Sequence, residues 1–180
     1  MTMIQSKATP AHTGQMSRAL IPALTDEKKQ MFVTVLVGGN LFGFPINKVK
    51  EIFYVDRIFS VPQAPAEVAG LINLRGRIIM VTDMRKWLGI AENENKEDSS
   101  LCIVIENGGE IDGLLVDEIG DILDLPIMQA CPVPPSLAPR WKQICMSVHP
   151  LEGQLMLEAD PVALFTRTLK PSDVAHYLPR

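Results

Sequence analysis

The chain has 180 residues, 47% of them hydrophobic and 21% charged, which is ample material for a packed core and too apolar for a disordered chain. A net charge of -4 and an aromatic content of 6% leave no basic stripe and few stacking platforms, so nucleic acid is not expected as a partner. Every apolar run is broken by Pro, Gly or a charge well before the roughly 20 residues of a helical membrane span, and residues 1–20 lack the apolar region of a secretory signal. A soluble, cytoplasmic protein is the expectation.

Residues 1–30 mix Pro, Thr, Gln, Lys and Ser with one apolar patch at 19–24, and read as a flexible N-terminal tail. The texture changes at MFVTVLV, residues 31–37, where β-branched and apolar residues dominate. GGN follows as a turn and LFGFPI resumes the run, which predicts a β-hairpin. After a third strand and a Pro-marked bend, GLINLRGRIIM at 70–80 predicts a second hairpin, and MRKWL a short helix capped by Asp83. ENENKEDSS at 92–100 is polar and charged and reads as a linker. The same grammar then returns: LCIVI, ENGGE and IDGLLV as a hairpin, and finally PVALF as a helix with Asp160 at its cap and Pro161 at its first position. Residues 167–180 are taken as a C-terminal tail.

The two halves align. Gly38 falls on Gly108, Gly39 on Gly109 and Gly43 on Gly113, a constant offset of 70 (108 − 38). Val33 and Ile103, Val35 and Ile105, Val49 and Ile119, and Ile52 and Ile122 match at the same offset, as do Pro62 with Pro132 and Pro65 with Pro135. The frame then slips by seven residues: Gly76 meets Gly153 and Asp83 meets Asp160, an offset of 77 (153 − 76). Such a duplication predicts a mainly β protein of two small five-stranded barrels, a first at about 31–90 and a second at about 101–166, joined by the linker at 91–100. Because the apolar runs of the second half alternate little with polar residues, the barrels should pack on each other around a shared hydrophobic seam.

Little in the chain suggests catalysis. It holds neither a phosphate loop nor a metal-binding H-E-x-x-H, and no cofactor is expected. Cys102, Cys131 and Cys145 each lie in or beside an apolar run and read as buried reduced thiols. His149 precedes Pro150 and reads as a solvated turn residue. Met80, Met84, Met128, Met146 and Met156 read as core filler, with one or two available to line a groove.

Arg75 and Arg77 flank Gly76 in the second hairpin, where a turn needs a glycine and arginines can stand in water. Their company is more specific. Gly70, Asn73, Leu74, Arg75 and Gly76, an apolar strand, then Asp83, Arg85, Leu88 and Gly89 closely resemble the signature of the CheW family, a G-V/L-I-N-L-R-G stretch followed by D-L/M-R and L-G. The resemblance runs from about Phe32 to Phe165 and takes in VKEI at 49–52, VPQAPAEVAG at 61–70 and GLLVDEIGDIL at 113–123. It implies two intertwined SH3-like barrels with short helices. It also implies a stand-alone, non-enzymatic adaptor that couples the cytoplasmic tips of methyl-accepting chemotaxis receptors to the regulatory domain of the histidine kinase CheA, recruited to arrays at the inner membrane face. An adaptor of another chemosensory pathway, such as pilus-linked motility, and a small all-β ligand-binding regulatory domain are the alternatives.

Carried over by position, the resemblance places partner contact at Val49, Glu51 and Gly70, with Asn73, Arg75 and Gly76 around them. Glu51 and Arg75 are opposite in charge and each adjoins apolar sequence, so they are expected to pair at a groove edge. One departure stands out: the family's I-x-G-V/I stretch is here Ile144, Cys145, Met146, and without the glycine a straighter strand is expected.

Overall fold

A computed structural model of the chain describes residues 28–91 and 100–165. The apolar patch at 19–24, nearly all of the expected N-terminal tail, most of the linker and the C-terminal tail lie outside the described residues.

In the first half the strands are β1 (Lys29–Val37), β2 (Asn40–Pro45), β3 (Val49–Val55), β4 (Val68–Leu74) and β5 (Arg77–Asp83), followed by helix α1 (Met84–Leu88). The second half repeats the order with β6 (Ser100–Asn107), β7 (Glu110–Val116), β8 (Glu118–Pro126), helix α2 (Pro139–Lys142), β9 (Cys145–Leu151), β10 (Gln154–Ala159) and α3 (Pro161–Phe165). Gly38 and Gly39 turn the first hairpin at φ 58° and 75°, and Gly108 and Gly109 its counterpart at 60° and 91°. Two consecutive positive φ values make the tight turn whose twist suits a hairpin, and only glycine adopts them freely.

The sheets do not follow the halves. One runs β8-β1-β2-β10-β9 and the other β3-β6-β7-β5-β4, so the expected barrels at 31–90 and 101–166 exchange strands. The duplication nevertheless persists at the level of hydrogen-bond register. Val33 pairs with Phe44 as Ile103 pairs with Leu114, and Glu158 lies beside Gly43 as Val81 lies beside Gly113. Even the irregularities recur: β1 slips against β8 between Val33 and Val35, and β3 slips against β6 between Val49 and Glu51. Each β-bulge adds a residue and bends its strand.

Short straps close the sheets. Beyond β3, Phe59 exchanges two 2.8 Å backbone hydrogen bonds with Leu71 of the far edge strand β4. Beyond β8, Cys131 does the same with Val148 of β9, at 2.7 and 2.9 Å. Closure removes the open edges that would otherwise pair with other chains.

The largest core cluster belongs to both sheets. Val33, Val35 and Phe42 from one pack with Ile103, Leu114 and Val116 from the other, and Met84, Trp87 and Leu88 of α1 join them. The expected shared seam is therefore this core. Asp83 caps α1 by accepting from the backbone N–H of Arg85 at 2.9 Å and of Lys86 at 3.3 Å. Helix α2 lies in the stretch where the repeat slips and has no counterpart in the first half. From it Arg140 donates to the Trp87 carbonyl at 3.3 Å and the Trp141 indole to the Leu88 carbonyl at 3.1 Å, satisfying the open end of α1.

Four sequence expectations fail. The strand at Cys145 is not straighter, for Met146 bulges out between the pairs Cys145–Ala159 and Ser147–Glu158, as Ala69 does in β4. Met128 and Met146 are 86% and 59% exposed, because a 3-10 turn and this bulge turn them outward, while Met80, Met84 and Met156 are core residues. Cys131 is exposed in its strap, whereas Cys102 and Cys145 are buried. His149 is not a solvated turn residue but a buried member of β9, its ring tilted against Phe32 with centroids 5.2 Å apart.

Candidate partner-binding site

The turn between β4 and β5 consists of Arg75 and Gly76, at φ 52° and 85°. Asn73 braces it from within: its side-chain oxygen accepts the Gly76 N–H at 2.8 Å. Arginine rarely adopts a positive φ, and here the conformation is sustained by the glycine beside it and the asparagine brace. Arg75 Nη2 reaches across the end of the barrel to Glu51 Oε1 of β3 at 2.7 Å. The expected pair thus forms. Its guanidinium is 79% exposed and the carboxylate 28%, so water screens it and its contribution to stability is at most about 1 kcal/mol.

Gly70 belongs beneath this surface, not on it. It is buried at φ 147°, and a Cβ there would stand 2.3 Å from the Phe59 carbonyl oxygen. Its role is to let the closing strap lie flat against β4. The strap in turn presents Phe59, 51% exposed, beneath the guanidinium of Arg57 at 5.0 Å. Val49 is half-buried and packs against the shared core, with only part of its side chain available. Of the six positions singled out from sequence, Glu51, Asn73, Arg75 and Gly76 come together at one rim, with Val49 along the same strand and Gly70 supporting from below.

Sequence reasoning missed the bond that joins α1, which follows this rim's hairpin, to the other half of the chain. Arg85 grips Asp117 with Nε and Nη2, at 2.6 and 2.7 Å, and gives a third hydrogen bond to the Ala91 carbonyl at 2.7 Å. Asp117 Oδ2 also accepts the Gly38 N–H at 2.7 Å. The Asp117 hydrogen bond holds the guanidinium pKa above its ordinary value against the opposing cost of burial. The D-M-R motif carried the signal, but its partner lies 32 residues further on.

A second polar cluster sits on β9 and β10. The Ser147 hydroxyl donates to Glu158 Oε2 at 2.5 Å, and His149 Nε2 lies 3.1 Å from that hydroxyl and 3.2 Å from the same carboxylate oxygen. Serine and carboxylate both meet one ring nitrogen, and the other, Nδ1, has no hydrogen-bond partner among the described residues. That is not the relay of a nucleophilic triad, in which the base stands between the two. Among the described residues no group of three or more His, Cys, Asp or Glu is placed to hold a metal ion. No described helix is long and apolar enough to cross a membrane.

The described residues form a pair of strand-exchanged, SH3-like barrels with a braced ion pair at one rim. Residues 31–169 match the CheW family, described as the CheW-like domain, and the chain belongs to that family. It is 32% identical over 108 residues to the chemotaxis protein CheW of Klebsiella aerogenes, covering 58% of this chain and 63% of that protein. The CheW of Rhizobium meliloti is 31% identical over 128 residues, covering 70% of this chain and 82% of that one. Protein PilI of Pseudomonas aeruginosa is 28% identical over 91 residues, about half of each chain. The crystal structure of the scaffolding protein TtCheW from Thermoanaerobacter tengcongensis superposes with a TM-score of 0.67 at 26% identity, covering 74% of this chain and 90% of that one.

Proposed function

We propose that the protein is a non-enzymatic adaptor that couples the cytoplasmic tips of methyl-accepting chemotaxis receptors to the regulatory domain of the histidine kinase CheA. In this reading it works in the cytoplasm and reaches the inner membrane face only through the receptors. The observation that carries the proposal is the ion pair between Arg75 and Glu51. It contributes little to stability, yet a braced turn in a costly backbone conformation holds it in place, and such expense is characteristic of a recognition surface. Receptor tips are helical hairpins. An apolar helix face can lie along β3 at Val49, while Glu51 and Arg75 set its register through polar clamps. Gly70 acts from beneath by keeping the Phe59 strap in place.

Kinase contact is barrel against barrel, since the kinase's regulatory domain resembles this fold and related surfaces can pair. The reading is tested by co-sedimenting the protein with receptor cytoplasmic fragments, with and without the kinase. Retention in a ternary complex that Arg75→Glu reduces at least tenfold supports it. Equal retention of the folded variant refutes it.

A further inference from the structure

A small cavity of about 160 Å³ lies where α1, α2 and the approach to β4 meet, lined by Glu67, Trp87, Arg140 and Gln143. It shares no residue with the Glu51–Arg75 rim. It has room for about five water molecules, or for one organic molecule of the size of alanine. The duplicated fold does not require it: α2 has no counterpart in the first half, and Leu164 stands in the second half where Trp87 stands in the first, at an offset of 77 (164 − 87). Two backbone contacts fix its walls. The Glu67 carbonyl accepts the Asp83 N–H at 2.8 Å at the cap of α1, and Arg140 Nη1 donates to the Trp87 carbonyl at 3.3 Å.

The polar side chains facing this space are left over by the fold. Glu67 is half-buried, and its carboxylate has no hydrogen bond or ion pair among the described residues. Arg140 gives one N–H to Trp87, and its remaining donors have no partner among the described residues. Trp87 is 6% exposed and its indole N–H is likewise without a partner there, whereas the Trp141 indole is taken by the Leu88 carbonyl. Glu67 and Arg140 are opposite in charge and line one cavity, yet they form no ion pair with each other.

A half-buried carboxylate without a partner is unfavourable, and a guanidinium with open donors faces the same small space. A simple anion would suit Arg140 but be repelled by Glu67, and a simple amine would meet the reverse. An occupant that carries both an ammonium and a carboxylate satisfies the two together. The guanidinium fork matches a carboxylate, and the indole N–H supplies one more donor to it.

We infer that this cavity is a binding site for a small zwitterion of the α-amino acid class, with its carboxylate on Arg140 and the Trp87 indole and its ammonium on Glu67. A bound molecule then bridges α1, α2 and the approach to β4.

The test titrates the isotopically labelled full chain with L-alanine, and separately with ethylamine and with propionate, which each lack one of its charges. The chain has two tryptophans, so the Trp87 indole resonance reports the cavity and the Trp141 indole serves as the internal reference. Millimolar L-alanine is expected to shift the Trp87 indole N–H and leave that of Trp141 in place, and the two half-molecules to bind at least tenfold more weakly. Glu67→Gln should weaken alanine at least tenfold with no change in thermal midpoint, and Arg140→Gln should weaken it as much. Glu152→Gln removes the same charge in the β9–β10 turn, outside the cavity, and should change the affinity less than twofold. The inference is overturned if Trp87 does not shift, if ethylamine or propionate binds as tightly as alanine, or if Glu67→Gln loses no more affinity than Glu152→Gln.

Discussion

The guanidinium of Arg85 and the carboxylate of Asp117 meet through two hydrogen bonds of 2.6 and 2.7 Å, and both side chains are about 15% exposed. The contact ties α1 of the first half to the junction of β7 and β8 in the second, and Asp117 carries it on to the β1–β2 turn at Gly38. Removing one partner strands the other charge in a poorly hydrated place. Asp117→Asn or Arg85→Gln should therefore cost about 3 kcal/mol, read as a lower urea midpoint at unchanged slope. The double variant should cost less than the sum of the two.

Gly70 faces the Phe59 carbonyl at a distance that no Cβ can occupy. Gly70→Ala should lower stability by about 2 to 4 kcal/mol through the clash and the positive φ together. Hydrogen exchange at the Phe59 and Leu71 amides, which seal the barrel, should accelerate more than exchange at Ile103 in the core.

Asp112 is buried on β7, its Oδ1 without a partner among the described residues, and burial first, then the negative charge of Glu110, pushes its pKa up from 3.8 to about 6. The folded state then holds this proton more tightly than the unfolded chain does. Stability from this group is complete below pH 3.8 and is lost as pH rises through about 6, after which the penalty is constant. The loss is about 2 kcal/mol after allowance for partial solvation. Asp112→Asn should remove that slope and stabilise the protein at pH 8, as measured by urea unfolding across pH 4 to 8.

Thiol reactivity should divide the cysteines. Burial pushes Cys102 up to about 12 and Cys145 up to about 11, with the Glu158 charge adding to the latter. Cys131 alone is exposed. Iodoacetamide at pH 8 should modify Cys131 in the native protein and reach the other two only on unfolding.

Much of this fold was legible because glycine and proline mark turns at fixed offsets, and because apolar residues recur at the same offsets. Gly38 and Gly108, or Gly76 and Gly153, announce the hairpins directly. Strand exchange was not legible in the pattern itself, since β1 pairing with β8 is a non-local choice that alternation along either strand leaves open. The resemblance supplied it as intertwined barrels. The Glu51–Arg75 pair was readable from charge and position. Asp117 was not, for nothing near Arg85 in the chain names its partner. His149 misled because Pro150 suggests a turn, whereas Ser147 on the same strand face and Glu158 across the hairpin make a buried imidazole tolerable. Gly70 was read as a contact because its signature is a contact signature, and only the Phe59 strap shows what the glycine accommodates.

Charge reversal at the rim tests the adaptor reading most directly. Receptor fragments, the kinase and the protein are combined, and ATP-dependent kinase autophosphorylation is measured for the wild type, Glu51→Arg, Arg75→Glu and the double reversal. Both single variants should melt within a few degrees of the wild type, because the pair is exposed. The account predicts that each reversal lowers receptor-coupled activation at least tenfold and that the double reversal recovers a substantial part of it. Full activation by a folded Arg75→Glu protein would contradict the account and leave the arginine at the turn facing only water.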